Sequence, residues 1–457
     1  MRRFVFVPVL LALLLPSIAR PGEGNEPNLA LPADSQRYLP SAMPDRIVAT
    51  PGQDAARSFA INWRTEAAVR EPLLEIRPAV DSPDTGEVRQ LRARTRVLES
   101  GQYTAHSHRV DVDGLSPDTL YMFRVAGNGG WSSWRQLRTL AEAGKPLTLL
   151  YFGDTQNKNL SHVSRVTREA MRHAGDATLA LYAGDLVSEA VEDAEWGEWF
   201  EAAGDLPAVM LLAPAIGNHE YREENEGSAQ ERRVLGGHWQ YSFALPDNGA
   251  AHPRSRDTTY WFDAQGVRVV VLDGTSALDL GSMEAQAKWL DTVLADSRQP
   301  WNMVMIHQPM FSPRGRGGSD RLRAALLPVI EKHRVDLVLQ GHDHTYGRRS
   351  GERPGQSLPQ YIVSVAGPKQ YRLSDQARRS MRPVAEDTQL FQVIRIDDRQ
   401  LRYQARTVTG KLYDDFQIRR QADGSKIFRE ISEGRIPERD CRHREATRGG
   451  RKDRCWE

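Results

Sequence analysis

Leu147-Thr148-Leu149-Leu150-Tyr151-Phe152-Gly153-Asp154-Thr155-Gln156 runs from an almost wholly apolar hexad straight into a polar turn. A run that apolar reads as a strand covered on both faces, as in a parallel sheet. The glycine lets the backbone approach closely, and the carboxylate then stands over the strand's carboxyl end. The arrangement recurs four times. Residues 177–183 precede Gly184-Asp185, and 209–216 precede Gly217-Asn218-His219-Glu220. Residues 303–306 precede His307, and 335–340 precede Gly341-His342-Asp343-His344. One Gly-Asp pair is an ordinary turn signal; five blocks behind five apolar runs are not. Open α/β sheets bind ligands beyond the carboxyl ends of their strands, and Asp, Asn and His delivered there make a mixed oxygen and nitrogen metal site.

Outward from these blocks, helical stretches at 164–173, 194–203, 284–295 and 319–333 alternate with the strands, which is α/β layering. Strand-like segments at 260–262, 268–272, 361–366, 390–396 and 401–405 supply a second sheet, so the fold class is α/β, a two-sheet βαβ sandwich flanked by helices, over 146–410. Upstream, 44–141 changes texture to short alternating segments at 58–63, 88–97, 108–112, 120–126 and 134–137, the signature of a small all-β sandwich. Trp63 takes the place of a core tryptophan, and Gly114 to Tyr121 reads as a tyrosine corner. This part resembles a fibronectin type III domain. Trp131 and Trp134 are expected to pack rather than form a ligand platform.

The chain has 457 residues, and its 61 Lys and Arg against 60 Asp and Glu leave a net charge of +1. That balance offers no electrostatic argument for nucleic acid or a membrane surface as a partner. Arg2 and Arg3 precede the apolar stretch 4–15 and the small residues of Ser17-Ile18-Ala19. The stretch is short for a membrane span and is broken by Pro8 and Pro16, so 1–19 reads as a cleaved signal peptide. The expected protein is exported, periplasmic or secreted, with no membrane span after cleavage. Residues 20–43, rich in Pro, Gly, Glu and Asn, read as a linker. Residues 411–457 read as an extension ending in a poorly ordered charged tail. The only cysteines, Cys441 and Cys455, are expected to form a disulfide in an oxidising compartment, with two free thiols as the alternative.

The ordered set Gly153-Asp154, Gly184-Asp185, Gly217-Asn218-His219-Glu220, Val304-Met305-Ile306-His307 and Gly341-His342-Asp343-His344 resembles the calcineurin-like metallophosphoesterases, and within them the purple acid phosphatase branch. The resemblance implies an exported dinuclear phosphoesterase acting on a small-molecule phosphate ester, with phosphomonoesters ahead of phosphodiesters and hydroxide held between two metals as nucleophile. It also implies that Asp154, Asp185 and His344 hold one ion. Asp185, Asn218, His307 and His342 would hold the other, and the two ions would be Fe, Mn or Zn. His219 would stabilise the transition state or protonate the leaving oxygen.

Two positions depart from the family pattern. Ser188 stands where the purple enzymes have the tyrosine that colours their iron, which predicts no purple colour and a weaker preference for Fe(III), so that two divalent ions become an option. Gln156 stands where many relatives have a histidine ligand; its amide either takes over as ligand or bonds a coordinated water. Glu220 either orients His219 or is a solvated turn carboxylate. Arg314 and Arg316, after His307, either grip phosphate or sit in a solvated loop. Tyr221, His238, Trp239 and Tyr346 either line the pocket or pack.

Overall fold

In the computed structural model the described residues are 29–441, except 32–35, 67–68, 101–102, 226–227, 229, 231, 316–318 and 352–357. The leader, the charged tail beyond 441 and Arg316 therefore lie outside them. Two seven-stranded sheets form the larger domain. In the first, Leu147–Phe152 runs parallel to Leu179–Tyr182, which runs parallel to Leu211–Pro214. On its other side stand the antiparallel strands Leu390–Ile396, Gln400–Thr407, Leu412–Arg420 and Lys426–Glu430. In the second, Val267–Leu272, Trp301–Ile306, Leu337–Gln340 and Gln360–Val363 are parallel neighbours. The α/β two-sheet sandwich behind an all-β sandwich is thus the fold found. Both parallel cores end on the same edge, and the five polar blocks sit there.

One apolar core fills the space between the sheets and continues into the β-sandwich. A second lies under helices Met283–Ala295 and Ser319–Lys332. The sheets are also joined by polar bonds. Tyr151 Oη donates to the Gln340 carbonyl, Tyr260 Oη donates to Pro214 O at 2.8 Å, and Asp414 accepts from Tyr346 Oη and Arg348 Nε, each at 2.7 Å.

Several elements differ from the sequence reading. Residues 88–97 are not one strand. The chain breaks at Ala93 into Arg89–Arg92 and Arg94–Ser100, which pair in opposite sheets of the β-sandwich. Residues 209–216 begin as the end of a short helix, Leu206–Val209, before the strand Leu211–Pro214. The first large sheet runs on past 410, because Leu412–Arg420 and Lys426–Glu430 zip onto it as two further strands. Nor are the described residues of the linker loose. The Ala30 and Leu31 N–H groups donate to Glu198, Arg37 pairs with Glu201, and Tyr38 Oη donates to Glu201 at 2.7 Å. Tyr38 lies so close against Gly197 that a Cβ there would collide with its ring. Cys441 is disulfide-bonded; Cys455 lies outside the described residues.

In the β-sandwich, Trp63 Nε1 crosses between sheets to Ala126 O at 3.0 Å, and Tyr121 Oη accepts from the Ser116 N–H at 2.9 Å. Trp131 and Trp134 both stack on Arg124, whose guanidinium carbon lies 4.6 Å from each ring. The sandwich is keyed to the larger domain by buried Asp193, which pairs with Arg46 at 2.6 Å, Arg64 at 3.3 Å and His238 at 3.1 Å.

His108 carries a pH dependence that can be read in advance. Its ring is fully buried between Thr65 Oγ1 and Thr95 Oγ1, each 2.8 Å away. Burial, with help from His106, pulls its pKa down to about 4. A depressed histidine stabilises the fold above its unfolded pKa near 6.5, and that contribution is lost as pH falls towards 4. Chemical denaturation at about pH 7 and about pH 4 is expected to show a loss roughly 3 kcal/mol smaller in His108→Asn than in the unmodified chain. Equal losses in both would remove His108 as the cause.

Candidate metal centre

Each polar block holds its functional side chain by a local device. Gly184 adopts φ +91, and a Cβ there would meet Gly217 N at 2.7 Å and His307 Nδ1 at 2.8 Å, so only glycine lets the second, third and fourth blocks meet. Asp185 (φ +50), His342 (φ +73) and His344 (φ +47) are all left-handed without being glycine. Such conformations cost roughly 1 kcal/mol each or more and survive where the surroundings impose them.

The result is two overlapping groups. Asp154, Asp185 and His344 bring ligand atoms within 4.8 Å of one another, and so do Asp185, His307 and His342. Asp185 is the member common to both. Asn218 Oδ1 joins the second group at 3.2 Å from His307 Nε2 and 2.9 Å from His342 Nδ1. The tautomers are set from behind. His307 Nδ1 donates to Ala183 O at 2.7 Å, and His344 Nδ1 donates to Lys369 O at 2.9 Å. That leaves each Nε2 facing the carboxylates, as in many metal-ligating histidines. His307 Nε2 stands 3.1 Å from Asp185, and His344 Nε2 stands 3.4 Å from Asp154.

The electrostatics suit cations. Burial and the neighbouring Asp185 lift the Asp154 carboxyl to about 8, against the pull of His307. Burial would raise Asp185 too, but His307, His219 and His342 together drive it below the ordinary carboxylate range. Burial lowers His307, yet Asp185 and Asp154 outweigh it and carry it to about 10. In the metal-free chain His307 thus acts as the counter-ion for the buried Asp185 carboxylate. Carboxylate, amide and imidazole donors converging in a buried site fit two borderline-hard divalent cations.

The remaining residues resolve the alternatives left by the sequence. Glu220 is fully buried and neither solvated nor bonded to His219. Its carboxylate accepts from Gly217 N at 2.7 Å, Asp185 N at 3.0 Å and Leu186 N at 2.7 Å. It therefore staples the second block to the third. The two departures from the family pattern touch each other: Ser188 Oγ donates to Gln156 Oε1 at 3.2 Å. The Gln156 amide nitrogen, not its oxygen, then faces Asp185 at 2.9 Å and His344 at 3.0 Å, which is not the orientation of a ligand. His219 is half-buried, with Nδ1 donating to Ser188 O at 2.6 Å and its own N–H donating to Asp185 Oδ1 at 2.9 Å.

Arg314 reaches the edge of the site through Tyr371: its guanidinium carbon lies 3.5 Å from that ring's centre, and the ring lies 4.8 Å from His344. Tyr221, His238, Trp239 and Tyr346 are structural. They bond Asp273, Asp193 and Asp414 or fill the core. Asp343 has a role the sequence reading does not assign. It accepts from Ser312 Oγ at 2.5 Å and Arg314 N at 3.1 Å, tying the loop after His307 to the fifth block. Its place between two candidate ligand histidines is the only sequence signal of that role.

Comparison with known proteins agrees with this architecture. Residues 147–346 match the calcineurin-like phosphoesterase family, and residues 44–139 match the purple acid phosphatase N-terminal domain. An uncharacterised protein of Mycobacterium tuberculosis is 28% identical over 333 residues, 65% of this chain and 60% of that protein. The chain thus spans under two thirds of that relative's length. Human acid phosphatase type 7 is 26% identical over 336 residues, 68% of this chain and 71% of that protein. A purple acid phosphatase from yellow lupin seeds shares the fold at a TM-score of 0.69 and 17% identity, covering 84% of this chain and 75% of its own. The chain carries a calcineurin-like metallophosphoesterase domain. More particularly, that match follows one to the purple acid phosphatase N-terminal domain, so the chain is similar to the purple acid phosphatases in both parts. Among the described residues no helix is long and apolar enough to cross a membrane.

Proposed function

We propose that this chain is an exported, metal-dependent phosphoesterase that hydrolyses phosphomonoesters at a dinuclear centre. The observation that carries the reading is the sharing of buried Asp185 between two donor groups at one sheet edge. Asp154, Asp185 and His344 would hold one cation, and Asp185, Asn218, His307 and His342 the other. Bound there, two cations supply Lewis-acid stabilisation of the phosphoryl oxygens and acidify a water. The chain's own residues do the rest. With Nδ1 committed to Ser188 O, His219 keeps Nε2 for the substrate and is the candidate donor to the leaving oxygen. Glu220 and Asp343 keep the ligand-bearing loops in place. Ser188, in place of an anionic tyrosine ligand, favours divalent ions over ferric iron.

The test is hydrolysis of a chromogenic phosphomonoester and the matching bis-ester by apo-protein supplied with Mn, Zn or Fe. Metal-dependent turnover is expected, with the monoester preferred. His219→Gln should lower kcat by about a hundredfold to ten-thousandfold while two metal equivalents are still retained. Turnover indifferent to metal, or a bis-ester preference, would overturn the reading.

A further inference from the structure

One wall beside the candidate metal centre carries two cations that share a single aromatic ring. The Arg314 guanidinium carbon lies 3.5 Å from the centroid of Tyr371, and Lys369 Nζ lies 5.7 Å from it. Tyr371 in turn lies 4.8 Å from the ring of His344, its N–H donating to His344 O at 3.1 Å. Lys369 is fixed through its own carbonyl, which accepts from His344 Nδ1 at 2.9 Å. Three loops are laced together here. Arg314 N–H donates to Asp343 at 3.1 Å, and Ser374 N–H donates to Pro313 O at 2.8 Å. The wall is therefore a built part of the site.

Among the described residues, neither Arg314 nor Lys369 forms an ion pair with a carboxylate. Their neighbours Arg372 and Arg378 both pair with Glu386. Two cations gathered on one ring repel each other unless an anion joins them. A guanidinium lying over an aromatic face keeps its N–H donors in its own plane, free for bidentate contact with a phosphoryl group. The lysine adds a point charge beside it.

We propose that Arg314 and Lys369, arranged on Tyr371, form a second anion subsite next to the metal centre. It would select phosphate esters that carry another anionic group beside the scissile phosphate, as in a diphosphate. This rests on the function proposed above for the adjoining centre.

The test is equilibrium dialysis of the full chain, with Mn²⁺ supplied, against methylphosphonate and methylenediphosphonate, neither of which is hydrolysed. The unmodified chain is expected to bind the diphosphonate at least about tenfold more tightly. Arg314→Ala and Lys369→Ala should each cut that preference by about tenfold, the usual scale for a charged hydrogen bond. Equal affinity for the two probes, or a preference untouched in both variants, overturns the subsite. If the preference is present and lost in the variants, yet no ester is hydrolysed with any metal, the subsite stands and the phosphoesterase reading falls. Ester hydrolysis without any diphosphonate preference removes the subsite and leaves the phosphoesterase reading standing.

Discussion

Under the proposed function, Asp185→Asn is expected to lower phosphomonoester turnover by about a thousandfold or more and to cost at least one of the two proposed metal equivalents. Removing a single preorganised electrostatic group from an active site commonly costs about a hundredfold to a thousandfold. Asp185 belongs to both donor groups, so its loss weakens both at once. It also accepts the His219 N–H at 2.9 Å and faces His307 at 3.1 Å. The amide keeps the shape of the carboxylate and removes the charge, so the effect is electrostatic rather than steric. Metal content by elemental analysis, read beside kcat, separates a lost ion from a slowed reaction. An Asn variant with two ions and near-normal turnover would dismiss the shared-ligand assignment.

Glu220→Ala should destabilise the fold by on the order of 4 kcal/mol, because three backbone N–H groups lose their acceptor in a site closed to water, at about 1–3 kcal/mol each. Gly217, Asp185 and Leu186 would be the orphaned donors. Glu220→Gln keeps one acceptor oxygen and should recover part of the loss. In the metal-free protein, burial and Asp185 raise the Glu220 carboxyl to about 7. A raised carboxyl adds stability that is fully present below its unfolded pKa near 4.5 and is lost as pH climbs through 7. The glutamine does not titrate, so the lead of the unmodified chain over the Gln variant should be widest in mild acid and should narrow above pH 7. Urea melts of the metal-free proteins at two pH values read this. An Ala variant as stable as the unmodified chain would show that the staple is dispensable.

The metal edge was legible because its chemistry is local. An apolar hexad followed by Gly-Asp states both a buried strand and where its carboxylate points, and no distant residue is needed to read it. What stayed hidden depends on partners far along the chain. Glu220 looks like a surface turn residue until the 184–186 loop is laid across it. Gln156 and Ser188 could each be seen as unusual, but not as a bonded pair 32 residues apart. Lys369 and Tyr371 follow Gly367-Pro368 in a polar loop with no motif, and it is bonds from Gly367 to Asp154 and from Lys369 and Tyr371 to His344 that bring them to the site. Ala93 gives no sign that the strand changes sheets there, because no Gly or Pro stands between the Arg-bearing halves to mark a break.

The contacts of residues 30–31 and 36–38 alter how the β-sandwich is held. The chain first grips the helix Asp193–Ala203 through Glu198 and Glu201, then makes the sandwich, then returns to start the first large sheet. The sandwich is therefore anchored at both of its ends to the body it precedes, and Asp193 bolts its middle. Among the described residues the module is fastened at three points. Force or heat applied to it is passed directly to the helix that Tyr38 and Arg46 embrace, so the two halves should come apart in one step rather than in sequence.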